Sequence, residues 1–102
     1  MPSYELVLQF RGRQVETEDE VVAIEDALVE LLRDTEMLDD HEVSGAARNL
    51  LVTTTDPRAT FARLAPFLAK AALLDHVIAA FRAPGEAYTV IWPASGTVFS
   101  RT

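Results

Sequence analysis

The chain contains no cysteine. That excludes disulfides, thiolate metal sites and cysteine nucleophiles, and it fits a reducing compartment. Met1-Pro2-Ser3 leads straight toward a strand, with no basic start followed by an apolar run. No signal peptide is read there, and a cytoplasmic protein is expected. No membrane span is read either: the most apolar region, Ala59 to Phe81, is interrupted by Arg63, Pro66, Lys70, Asp75 and His76. Gly-x-Ser-x-Gly and phosphate-loop patterns are missing, so a nucleophile has no support from motif. Repeats and low-complexity linkers are also absent.

What is present is a 102-residue chain, 49% hydrophobic and 25% charged, the balance of one folded domain rather than a disordered segment. Its net charge of −7 is unevenly spread. Residues Glu16 to Glu42 hold twelve carboxylates and a single base, Arg33, a net −11, while the remainder holds eight bases and four acids, a net +4. Such an acidic segment repels nucleic acid, and no basic cluster offsets it. A cationic protein surface is the natural partner.

The organising stretch is Arg48 to Arg58. Leu50 to Thr55 are aliphatic or β-branched, which suits a largely buried strand. Asp56 offers an oxygen to the free N–H groups of a helix start, and Pro57 suits the first helical position. Before this joint, Tyr4, Leu6, Leu8 and Phe10 alternate with Glu5, Val7, Gln9 and Arg11, the period of a half-buried strand. Thr17 and Glu20 form a capping-box spacing, and Val21, Ile24, Leu28, Leu31 and Leu32 predict an amphipathic helix running to about Asp34. Met37 and Leu38 read as loop residues packed underneath. Glu42 to Ser44 reads as a short strand separate from the central one, although one bent strand broken at Gly45 fits as well.

After the joint, Phe61, Leu64, Ala65, Leu68 and Ala72 predict a second helix closed by Leu73 and Leu74, with a kink or restart at Pro66. Val77 to Arg82 reads as a strand, Ala83 to Glu86 as a turn and Tyr88 to Trp92 as the last strand. Thr97-Val98-Phe99 is a candidate edge pairing in the tail. The order predicts an α+β, ferredoxin-like antiparallel sheet of four to five strands, with two helices on one face and an added C-terminal hairpin strand. Two helices leave the second sheet face to solvent or to a partner.

Gly45, Asn49, Val52, Thr53, Thr55, Asp56-Pro57, Phe61, Ala80-Phe81-Arg82 and Ile91-Trp92-Pro93 resemble a set of small bacterial α+β domains over residues 43 to 93. The resemblance implies the fold and no particular activity. In charge alone, the acidic first helix is similar to that of immunity proteins that neutralise basic nucleases.

Three constellations bear on chemistry. His41 in Asp39-Asp40-His41-Glu42 has the donors of a hard-metal site, but contiguous residues rarely converge on one ion, so a solvated loop is expected and no metal or cofactor. His76 beside Asp75 has the pairing used in general acid–base chemistry, and equally the place of a histidine at a helix C-terminus. Trp92 reads as core or as an interface anchor. The leading expectation is a non-catalytic protein-binding domain, a homodimer engaging a basic protein, with Asp19, Asp26 and Glu30 as steering acids and Trp92 as anchor. The alternative is a small dimeric barrel-like enzyme or ligand-binding protein whose pocket on the open sheet face uses His76, Arg82 and Tyr88.

Overall fold

In a computed structural model the fold is described over residues 3–10, 18–39, 42–44 and 47–93. The elements are β1 (Tyr4–Phe10), α1 (Glu18–Val29), β2 (Met37–Leu38), β3 (Glu42–Ser44), β4 (Ala47–Thr54), α2 (Pro57–Lys70), a 3₁₀ turn (Leu74–His76), β5 (Val77–Arg82) and β6 (Thr89–Trp92). All strand pairings are antiparallel, in the order β2–β4–β1–β5–β6. β3 also pairs with β4. Since β1 occupies one edge of β4 throughout, β2 and β3 share the other edge and fill one sheet position between them. The protein is therefore α+β, with a five-position antiparallel sheet and two helices among the described residues. The antiparallel pairing of β3 with β4 makes residues 42 to 54 two strands, not one bent strand.

One sheet face carries Leu6, Leu8 and Phe10, opposed by Val52 and Leu50 on β4 and by Ala79 and Val77 on β5. Val21, Ile24 and Leu28 of α1 and Phe61, Leu64 and Leu68 of α2 join these residues in one buried cluster. Both helices therefore lie on this face. Removing such side chains from water is the main stabilising term, at about 1.5–3 kcal/mol for each fully buried aliphatic.

The second face departs from expectation. Val7, Gln9, Asn49 and Ala80 are all buried there. β1 is the central strand, so Val7 lies between Leu51 and Ala80, and Gln9 between Asn49 and Ile78. Alternation along β1 alone does not reveal that central position. The middle of this face is thus not the open surface that period two implied.

The helix boundaries also differ. α1 ends at Val29, not near Asp34. Leu31 and Leu32 N–H turn to the carbonyls of Leu28 and Val29 in tighter 3₁₀-type bonds. The Arg33 N–H is taken by the Glu36 carboxylate instead of continuing the helix. α2 runs through Pro66 without a restart. Ala62, whose carbonyl loses its partner, is exposed, so water can satisfy it. α2 stops at Lys70, and Ala72 is exposed beyond its end rather than part of the core stripe. Met37 is exposed at the sheet edge rather than packed under a loop, while Leu38 packs against the core. Gly12, Thr17, Asp40, His41, Gly45, Ala46 and the Thr97-Val98-Phe99 pairing lie outside the described residues.

At the end of α2, Leu73 N–H reaches the Leu68 carbonyl and Ala72 N–H the Ala69 carbonyl. This is a Schellman cap, with Leu73 and Leu68 both buried as its apolar contact. The left-handed position, usually glycine, is held by Ala72 at φ 60°. Ala72→Gly is therefore expected to raise stability to urea by about 1 kcal/mol. An unchanged or lower midpoint would contradict this account of the cap.

Candidate functional site

The joint between β4 and α2 forms as its residues dictate. Asp56 caps the helix through Oδ1, which accepts from Ala59 N–H at 3.1 Å, and Pro57 begins the helix. Next to it lies a polar network that sequence reading missed. Glu36 follows α1 in the chain, and its side chain is only 5% exposed. Oε1 accepts from Arg33 N–H at 2.7 Å and from Arg63 Nη1 at 2.5 Å. Oε2 accepts from Arg63 Nη2 at 2.9 Å and from the Thr60 hydroxyl at 2.5 Å. Four donors match the four acceptor positions of a carboxylate.

The hydroxyl order follows from that. A carboxylate and a carbonyl only accept, so the single Thr60 proton is shared between Glu36 and the Asp56 carbonyl at 2.9 Å, and Thr54 donates to Thr60 at 2.7 Å. The Thr54 oxygen in turn accepts from Asp56 N–H at 3.1 Å. Arg63 also reaches the Leu31 carbonyl at 3.1 Å. The turn after α1, the end of β4 and the first turns of α2 are thereby tied at one carboxylate. The Arg63 guanidinium holds the Glu36 carboxyl at about 2, against an ordinary 4.5, with Thr60 and the Arg33 N–H helping and burial opposing. Glu36 in return raises the affinity of Arg63 for its proton.

This tether fixes the C-terminal end of α1, which carries Asp19 and Asp26 and is followed directly by Glu30. Asp19, Asp26 and Glu30 are all exposed. At 3.6 residues per turn they fall on one line, opposite the buried Val21, Ile24 and Leu28. Beside that line, Val22 is 41% and Val29 53% exposed. These two valines were not singled out from the sequence, although their seven-residue spacing off the core stripe is visible there.

Trp92 is half-buried against Phe61, with ring centroids 6.5 Å apart. Its indole N–H donates to the Leu74 carbonyl at 2.9 Å. Arg82 and Tyr88 meet at Glu5: Arg82 Nε donates at 3.0 Å to one carboxylate oxygen and the Tyr88 hydroxyl at 3.0 Å to the other. The Arg82 guanidinium also lies 4.6 Å from the Tyr88 ring centroid. His76 is not part of this group. It precedes β5 while Arg82 ends it, a separation of about 20 Å at the usual strand rise. His76 instead lines an open cleft of about 410 Å³ with Asp75, Ala69, Ala72 and Leu74.

Among the described residues, no three His, Asp or Glu side chains converge on a point that could hold a metal ion, and no helix is long and apolar enough to cross a membrane. Asp39, counted above with the metal donors, accepts from the Thr53 hydroxyl at 2.9 Å while its N–H bonds the Leu51 carbonyl.

Since the native carboxyl of Glu36 is held below its ordinary value, its contribution is complete above pH 4.5 and is lost as the pH falls toward 2. Glu36→Gln is expected to be about 2–3 kcal/mol less stable than wild type at neutral pH in urea unfolding. That gap should close through the acid range, and a gap unchanged down to pH 2 would contradict the network. Arg63→Met leaves the buried carboxylate without its main partner and is expected to cost about 3 kcal/mol at neutral pH. A loss below about 0.5 kcal/mol would mean that the pair behaves as a surface contact.

Comparison with protein-family models, with curated proteins and with solved structures finds no match to this chain.

Proposed function

We propose that this protein is a non-catalytic binding domain that presents the acidic face of α1 to a basic protein, in a reducing, cytoplasmic setting. The observation that carries the reading is the alignment of Asp19, Asp26 and Glu30 on the exposed side of a helix whose opposite side is locked into the core. Charges held on a fixed line steer encounter with a cationic surface. The partner is treated as protein because the acidic segment repels phosphate backbones.

The ferredoxin-like reading of the fold has its own support. β4 lies between β1 and β2, and β1 lies between β4 and β5. Each β–α–β unit therefore skips one strand, as in a split βαβ arrangement, with β6 as an added edge.

The pocket alternative draws on the Glu5–Arg82–Tyr88 group alone, because His76 lies at the other end of β5. Within that group the Arg82 and Glu5 charges are paired with each other. The binding reading is preferred for this reason, with Trp92 as an anchor only through the part of its ring left outside the Phe61 contact.

Association with a basic partner, recovered by affinity capture and then purified, tests the proposal. Asp19→Lys, Asp26→Lys and Glu30→Lys together are expected to slow association at low salt by about tenfold or more and to remove its salt dependence. Unchanged association kinetics would sink the reading.

A further inference from the structure

We propose that the outward face of α1 docks a cationic amphipathic helix of a partner protein, whose apolar stripe covers Val22 and Val29 and whose basic side chain faces Asp26. This rests on the reading of α1 as the binding face and specifies what it binds. α1 differs from an ordinary surface helix. Seven of its twelve residues are apolar, and only Val21, Ile24 and Leu28 of these are buried in the core. A surface helix packed on one side normally shows polar residues opposite its core stripe. Here Val22, Ala23 and Val29 lie outward among the carboxylates.

Val22 and Val29 are two turns apart, about 10 Å along the axis. That is the heptad interval at which apolar residues of a facing helix repeat. Asp26 lies between them on the same side, where a packed helix would otherwise place an apolar residue. A partner must therefore bring a cation to that position, flanked by apolar contacts. Asp19 and Glu30 extend the same demand to both ends. A second copy of this chain does not meet it, because self-pairing of α1 sets carboxylates against carboxylates.

The test uses two synthetic peptides of about 18 residues, long enough to hold a helix on docking. One places leucines at heptad spacing among lysines and arginines. The other has the same composition scrambled so that no stripe forms. Both are titrated by calorimetry and amide NMR into wild type, Val22→Ser/Val29→Ser, Asp19→Asn/Asp26→Asn/Glu30→Gln and a control, Asp34→Asn/Asp75→Asn/Glu86→Gln. The substituted residues are all exposed, and circular dichroism checks that each variant keeps its fold.

The striped peptide is expected to bind wild type at least about tenfold more tightly than the scrambled one, with shifts confined to α1. The valine variant should abolish that preference. The α1 acid variant should lose binding, whereas the control should keep it. Equal binding of the two peptides, still lost in the α1 acid variant, overturns the docked helix but leaves the basic-partner reading standing. Equal loss in the control variant, or no binding of either peptide, overturns both.

Discussion

One buried carboxylate ties the turn after α1 to the start of α2 and the end of β4. Glu36 is buried and ionised, which is stable only because four donors from separate parts of the chain converge on it. Arg63 and Thr60 come from α2, while the Arg33 N–H comes from the turn that ends α1. Thr54, at the end of β4, completes the hydroxyl chain. The apolar cluster drives collapse without direction, whereas this network sets where α1 stops and how its end meets α2. Hydrogen bonds to an ionised group are stronger than neutral ones and demand geometry, so the tether specifies a position.

The same constraint bears on the exposed side of the protein. A helix pinned at its C-terminal end and packed along Val21, Ile24 and Leu28 presents its opposite side in one orientation. Its carboxylates and valines are then a fixed pattern rather than a mobile charge cloud. On the other sheet face, burial of Val7, Gln9 and Ala80 leaves no exposed centre for a partner to cover. This contrast is why the proposal places binding on α1 rather than on the sheet.

Much of the fold was legible in the sequence, and the reasons are local. Asp56-Pro57 specifies a helix start through side-chain and backbone chemistry confined to a few residues. The strand Val77–Arg82 and the turn built on Pro84 and Gly85, with Gly85 at φ 82°, follow from propensity and backbone preference. What was hidden depends on distant partners. Glu36 looks like one more acid in a solvated run, and its partner Arg63 is 27 residues away. Beyond the end of α1, Arg33 N–H goes to that same carboxylate instead of continuing the helix, and helical periodicity does not show it. The burial of Val7 and Gln9 likewise depends on tertiary packing over that face and not on the strand's own pattern. At the candidate site, Asp19, Asp26 and Glu30 share a face as their spacing predicts, while His76 and Arg82 are separated by the length of β5.

The most direct test of the central claim is a ¹³C NMR titration of the Glu36 side-chain carboxyl in the folded protein. The network requires a midpoint near 2. A midpoint near the ordinary 4.5 would mean that Glu36 is one of the solvated acids after all, and that something else fixes the end of α1.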